Sequence, residues 1–257
     1  MRRAMQGTQG GSDAVTTYCD VISSLIDDLR SQTAAIADAA DGLTRALQTG
    51  GIIQVFGTGH SHMLAEEVFT RAGGLAAVNA VLISSLMLHE SALGSGEVER
   101  LTGLGELVAN QSGMRQGDGA IVISNAGIND VPVQFAIEAR RRGLFVVGIT
   151  SLSYSRSLPS LHRDGRRLFE VVDVVLDNLT PGGDVAVCLG DDDRWRVGAV
   201  STVTGCVLIN SVMVAIAEKL WRTGVGDPPI LISSKLPGAE EHNHAVTARY
   251  RDRVAHL

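Results

Sequence analysis

The sequence has 257 residues, of which 45% are hydrophobic, and 22 basic against 28 acidic side chains give it a net charge of −6. This composition is far too apolar for a disordered chain and allows a large buried core. The mild acidity and an aromatic content of only 4% argue against a nucleic-acid partner, which needs a basic surface or stacking platforms.

Lysine is scarce, and this excludes one common kind of nucleotide site. Among the basic residues only Lys219 and Lys235 are lysines, and neither is followed by Ser or Thr. A phosphate loop of the form G-x-x-x-x-G-K-[ST] is therefore absent from the sequence.

The cysteines and apolar runs favour a protein of the cytoplasm with no membrane partner. Cys19, Cys188 and Cys206 are odd in number and far apart, which is unlike a disulfide framework. The first residues lead into a polar stretch rather than the apolar region of a secretory signal. The longest apolar run, residues 206–217, is shorter than the roughly 18 residues of a membrane span.

The chain begins with a Gly- and Gln-rich stretch, residues 1–11, which we predict to be a flexible arm. Two amphipathic helices are predicted next, within about residues 12–50, because apolar residues recur at helical spacing and Gly50-Gly51 follows as a stop. Two helices cannot bury their apolar stripes alone. We therefore expect them to pack on the main body of the protein or on a partner subunit.

After residue 51 the pattern changes to short, β-branched runs separated by helical stretches. Such continuous apolar runs predict parallel strands buried on both faces, with ligands bound beyond their carboxyl ends. A hairpin at 184–197 with its turn at 190–193, a core helix at 203–220 and a last helix from about Glu240 are predicted further on. No low-complexity linker interrupts the chain, which favours a single domain over residues 12–257. The predicted parallel strands are residues 52–56, 120–123, 144–149 and 171–176.

The first strand ends in a turn that could bind an anion, Gly57-Thr58-Gly59-His60-Ser61. Its glycines let the backbone approach a ligand, the following helix offers free N–H groups, and Ser61 adds a hydroxyl. A dinucleotide fingerprint needs a third glycine that is missing, and an esterase elbow needs glycine where Met63 stands. A plain strand-to-helix turn without a ligand is the remaining alternative.

A second strand end carries similar chemistry in residues 124–129, Ser-Asn-Ala-Gly-Ile-Asn. Two polar turns on one sheet edge, with no lysine in either, suit a phosphate held by hydroxyl and amide groups. The expected ligand is therefore a phosphorylated small molecule rather than a nucleoside triphosphate with its metal.

These motifs together resemble the sugar isomerase (SIS) domain family. Residues 56–61 and 65–67 are similar to its first signature, residues 124–129 stand where it has Ser-x-Ser-Gly-x-Thr, and residues 148–150 are similar to its third strand end. Residues 201–205 resemble the start of its long core helix, and the resemblance covers about residues 15–255. Within the family, residues 85–90 and 241–243 resemble the UPF0309 group.

The resemblance implies an α/β fold, a three-layer αβα sandwich with a five-stranded parallel sheet, preceded by an N-terminal helical pair. It also implies a homodimer or higher homo-oligomer that binds a phosphorylated sugar and isomerises it. An etherase or lyase acting on such a sugar, or a non-catalytic phosphosugar sensor, stays open as an alternative. No cofactor is expected.

Carried over by position, the substrate site would comprise the two turns and two further strand or helix ends. Ala126 and Asn129 replace two hydroxyl residues of the family's second motif; the amide of Asn129 can still donate a hydrogen bond, whereas Ala126 cannot. The expected substrate- and phosphate-binding residues are Gly57, Thr58, Gly59, Ser61, Ser124, Asn125, Gly127, Asn129, Thr150 and Ser201.

Isomerisation needs a base that moves a proton between adjacent carbons. Glu90, at the end of an apolar run, and His60, within the first turn, are the candidates for proton transfer, although a solvated glutamate would look the same as Glu90. His242 and His244 are candidates for closing the pocket, in the same or a neighbouring subunit, with solvated histidines as the alternative. No metal site is expected, because histidines two residues apart diverge on a helix.

Overall fold

The computed structural model describes residues 13–190, 194–224 and 227–257. The predicted arm, residues 1–11, lies outside the described residues, as do residues 191–193 of the hairpin turn predicted at 190–193.

Between residues 53 and 177 helical segments separate successive strands, as the sequence pattern predicts, and a two-stranded hairpin and two helices follow. The helices are α1 Ala14–Leu29, α2 Thr33–Gln48, α3 His62–Glu67, α4 Ala92–Val98, α5 Leu104–Gln111, α6 Asp130–Arg141, α7 Leu152–Ser157, α8 Ser201–Thr223 and α9 Ala239–Ala248. The strands are β1 Ile53–Gly57, β2 Val78–Val81, β3 Gly119–Ile123, β4 Phe145–Thr150, β5 Val174–Asp177, β6 Val185–Leu189 and β7 Trp195–Ala199.

The first five strands form one parallel sheet in the order β2-β1-β3-β4-β5. Helices cover both faces, and β3 illustrates why its run of apolar residues is continuous. Ile121 and Ile123 pack into a core with residues of α2, α3 and α8, whereas Ala120 and Val122 pack with residues of α5 and α6. The predicted α/β sandwich with a five-stranded parallel sheet is confirmed.

The fifth strand begins three residues later than the sequence pattern predicts. Asp173 lies before it and exchanges hydrogen bonds with Val146 of β4, since the Asp173 N–H donates to the Val146 carbonyl at 2.8 Å and its carboxylate accepts from the Val146 N–H at 2.8 Å. Val171, which the pattern assigned to the strand, is buried in the core beside α6 instead.

The two N-terminal helices have different positions. α2 packs against the sheet and α8, with Leu43 fully buried in the core. α1 covers the β6–β7 hairpin, where the Tyr18 hydroxyl donates to the Ala199 carbonyl at 2.8 Å. α8 is long and apolar enough to cross a membrane, a criterion that buried core helices also meet, and here it packs on α2 and α3.

A buried polar network lies at the amino edge of the sheet, opposite the edge where ligands are expected. Asp118, only 2% exposed, accepts from the Ile52 N–H at 3.0 Å and from Arg253 at 2.8 and 2.9 Å. Asn79 of β2 donates to Gln54 of β1 at 2.7 Å and accepts from the Ala255 N–H at 2.9 Å. Residues 253–255 are thereby tied to three neighbouring strands.

We expect Arg253→Ala to lower the free energy of unfolding by about 3 kcal/mol, because it leaves the Asp118 carboxylate buried without its cation. Chemical denaturation measures the change, and Arg251→Ala, at an exposed position two residues away, is the matched control. Adding Asp118→Asn to Arg253→Ala should restore part of the loss, since no unpaired charge then remains. Equal stability of the two single variants would contradict the prediction.

Candidate functional site

The carboxyl ends of β1 and β3 open into a small cleft with a volume of about 10 Å³, enough for about one water molecule, so a larger ligand would lie across its open mouth. These strands are neighbours, with Gly57 opposite Ile123 in their register, and the chain turns to opposite sides of the sheet after them. Such a reversal of strand order separates the following helices and leaves a crevice. The residues that line the cleft are His60, Ser61, Leu64, Ile123, Asn125, Asn178, Ser201 and Thr202.

The first turn folds back tightly over the end of β1. A 3₁₀ turn, Gly59–Ser61, joins β1 to α3, and the Ser61 N–H donates to the Thr58 carbonyl at 3.0 Å. A Cβ atom at Gly57 would lie 2.6 Å from the carbonyl carbon and oxygen of Ser61, so only glycine allows this approach. Within the described part of the chain no group is hydrogen-bonded to the Ser61 hydroxyl, which faces the cleft.

The second turn is fixed by its own side chains and by β4. The Ser124 hydroxyl accepts from the Gly127 N–H at 3.2 Å. Gly127 has φ +62°, and a Cβ there would lie 2.6 Å from the Thr150 hydroxyl. The side-chain oxygen of Asn125 accepts from the amide nitrogen of Asn178 at 2.9 Å. The amide nitrogen of Asn125 is then left as a donor.

Two helices that begin near the cleft already have carboxylates at their amino termini. Asp184 accepts from the N–H groups of Val200 and Ser201, at 3.1 and 2.8 Å, and from the Ser201 hydroxyl at 2.6 Å, so it caps α8. Asp130, the first residue of α6, is fully buried and accepts from the Arg163 N–H at 3.2 Å. No Lys or Arg is among the residues that line the cleft. An anionic ligand would therefore meet neutral hydroxyl and amide donors here.

The structure divides the expected binding residues into two sets. His60, Ser61, Asn125 and Ser201 line the cleft. The others support it or stand beside it: Gly57, Thr58, Ser124, Gly127 and Thr150 are buried, whereas Gly59 and Asn129 are partly exposed. Thr150, for example, donates to the Asn125 carbonyl at 3.1 Å.

The last three expected residues, Glu90, His242 and His244, also lie outside the lining of the cleft. Glu90 is exposed and lies beside His89, with 3.8 Å between carboxylate oxygen and ring nitrogen. His242 is bonded to the Ile230 carbonyl at 2.9 Å, on a helix whose Val246 packs with Ala76 just before β2. This places His242 on the amino side of the sheet. His244 is exposed on the same helix, so closure of a cleft by this segment stays a prediction for a neighbouring subunit.

Glu99 is a residue that sequence reasoning did not find. It follows α4 and accepts from the Thr58 hydroxyl at 2.6 Å, while its carbonyl accepts from the Val131 N–H at 3.1 Å. Glu99 therefore connects the first turn to α6, behind the cleft. Burial raises the pKa of this carboxyl, and the hydrogen bond from Thr58 opposes that rise only in part. No local pattern marks the residue, because its partner lies 41 positions earlier.

We expect Glu99→Gln to gain stability relative to the natural chain as pH rises from about 4 to 7. A carboxyl whose folded-state pKa is raised stabilises the fold fully below its unfolded-state pKa, and that contribution is lost as pH rises through the folded-state pKa. Urea denaturation across this pH range measures the difference in free energy of unfolding between Glu99→Gln and the natural protein. Glu97→Gln, at an exposed position on α4, is the control. A difference in stability that does not change with pH would overturn the expectation.

The comparisons with known proteins agree with this fold. A family model described as SIS domain matches residues 17–151, more than half of the chain. The protein belongs to the SIS domain family.

Within that family its relatives carry the name UPF0309 protein. The one from Geobacillus thermodenitrificans is 38% identical over 226 residues, which covers 88% of this chain and 90% of that protein. The one from Brucella anthropi is 40% identical over 242 residues, which covers 93% of this chain and 97% of that protein.

Among solved structures, a phosphoheptose isomerase from Francisella tularensis matches with a TM-score of 0.53 and 16% identity, covering 79% of this chain and 96% of that one. A phosphoheptose isomerase from Neisseria gonorrhoeae has a TM-score of 0.52 and 18% identity, covering 79% and 97%. At these identities the likeness shows the fold alone.

Proposed function

We propose that this protein binds a phosphorylated sugar in the cleft between β1 and β3 and isomerises it, the substrate being an amino sugar or sugar-acid derivative. The observation that carries the proposal is the meeting of two polar turns at this one edge, where the Ser61 hydroxyl faces the cleft without a partner among the described residues. The solved structures named phosphoheptose isomerases support the reaction class. We also propose a cytoplasmic homodimer.

In this proposal the phosphate is held by neutral donors. Ser61 and Thr202, which both line the cleft, offer hydroxyl groups, and Asn125 offers the amide nitrogen that its bond to Asn178 leaves free. Hydrogen bonds to a charged acceptor are stronger than neutral ones. Such a set can therefore bind a phosphate without a lysine or arginine.

The chemistry then requires a proton transfer and no oxidant or reductant. A base removes a proton from the carbon next to the sugar carbonyl, and the enediol that forms takes a proton at the former carbonyl carbon while hydroxyl and carbonyl exchange places. His60, in the cleft wall, is the candidate within reach of a ligand. Exposed Glu90 stays a candidate for a site completed by a second subunit.

One observation favours a non-catalytic phosphosugar sensor as the second candidate. The residues that line the cleft include no carboxylate, so His60 is the one titratable side chain among them. A binding protein that acts through protein contacts needs no base there. An etherase or lyase would need both a base and an acid and is tested by the same experiment.

The test is a thermal-shift screen with hexose, hexosamine and heptose phosphates, followed by NMR analysis of each stabilising sugar in D₂O. An isomerase exchanges a carbon-bound hydrogen with solvent and changes the sugar, whereas a sensor is stabilised without either event. We expect Ser61→Ala to weaken binding by about tenfold or more, as for one lost hydrogen bond to a charged group. Ser23→Ala, on the exposed surface of α1, is the control. No stabilisation by any phosphosugar would refute both readings.

A further inference from the structure

His62 is a buried histidine that the proposed function does not use. It is the first residue of α3, directly after the first turn, and only 6% of it is exposed. Its Nδ1 atom is hydrogen-bonded to the carbonyl oxygen of Gly59. A carbonyl oxygen can only accept a hydrogen bond, so Nδ1 must carry the proton. In the sequence His62 stands two residues after His60.

The other nitrogen of His62 faces a separate group of titratable side chains. Its Nε2 atom lies 3.8 Å from a carboxylate oxygen of Glu66, one turn further along α3. The ring of His89 meets the His62 ring edge-on, with 6.1 Å between centroids, and His89 in turn lies 3.8 Å from Glu90. Whether or not Nε2 is protonated, Nδ1 stays a donor to Gly59.

The direction of the Gly59 carbonyl determines the direction of the peptide group that joins Gly59 to His60. A peptide group is planar and trans, so the carbonyl of Gly59 and the N–H of His60 point in opposite directions. Holding that carbonyl toward His62 therefore turns the His60 N–H away from His62. His60 and Ser61, the next two residues, are the ones that line the cleft. The backbone N–H of His62 donates to the same Gly59 carbonyl, so the turn holds it in part without the side chain, and Nδ1 adds a second donor.

We propose that His62 is a positioning residue for the cleft: through Nδ1 and the Gly59 carbonyl it fixes the orientation in which His60 and Ser61 meet the ligand. It does not touch the ligand itself. The inference rests on the proposed function for its consequence, but its geometry can be tested without any ligand.

A pair of variants isolates the Nδ1 contact. The amide nitrogen of asparagine can stand where Nδ1 stands, whereas that of the longer glutamine reaches the position of Nε2. We therefore expect His62→Asn to keep the affinity for glucosamine 6-phosphate within about threefold and His62→Gln to weaken it by about tenfold, as for the loss of one well-placed hydrogen bond. Calorimetry measures affinity, and thermal unfolding measures stability. A purely structural role would lower the melting temperature of both variants and leave the affinity of each unchanged.

A ligand-free measurement keeps the two proposals separate. In the natural protein labelled with ¹⁵N-histidine, at a pH well above the ordinary histidine pKa, we expect His62 to show the Nδ1–H tautomer. We also expect the backbone amides of His60 and Ser61 to exchange faster in His62→Gln than in the natural protein or in His62→Asn. If the natural protein does not bind glucosamine 6-phosphate, the test moves to the sugar phosphate that the screen identifies. If the natural protein binds no sugar phosphate, the proposed function fails. The tautomer of His62 and the amide exchange of His60 and Ser61 then decide whether His62 positions the turn. An Nε2–H tautomer, or equal exchange in both variants, overturns the assignment of His62.

Discussion

The parallel pairing of β1 with β3 is the constraint on which the rest of this structure depends. Because Gly57 and Ile123 end side by side and their chains leave toward opposite faces, α3 and α6 cannot close over the same point. The space left between them becomes the cleft. The two turns that bear hydroxyl and amide groups are then neighbours by topology, although Ser61 and Ser124 are far apart in the sequence.

Electrostatics gives this cleft an unusual character for an anion site. The amino termini of α6 and α8 would favour a negative ligand, but each already has a carboxylate of the protein beside it. α6 begins with Asp130, and Asp184 caps α8. What remains toward the ligand is a set of neutral donors on short turns. Binding then depends on how accurately these donors are aimed, because no cation compensates for a misplaced hydrogen bond. This is why residues behind the cleft, Glu99 and His62, matter to the proposed function.

The sequence pattern predicts four of the five parallel strands and both turns, because their signals are local, whereas β2 is not among the strands it predicts. A β-branched run followed by glycine and a hydroxyl residue marks a strand end whatever the rest of the chain does. Local sequence patterns do not predict residues whose position depends on long-range packing. Glu99 and Asn178 meet the turns from distant segments, whereas His242 follows α9 to the amino side of the sheet. The capping of α8 by Asp184, which engages the hydroxyl of Ser201, was equally invisible to local patterns.

The contact between Asp118 and Arg253 has a consequence for biosynthesis. The two residues are 135 positions apart, so a growing chain completes every strand of the parallel sheet well before the cation for this carboxylate has been made. Until then the amino edge holds a charge that no protein group neutralises and that water must solvate. The nascent sheet can assemble in outline, but its amino edge can close only when residues 253–255 leave the ribosome.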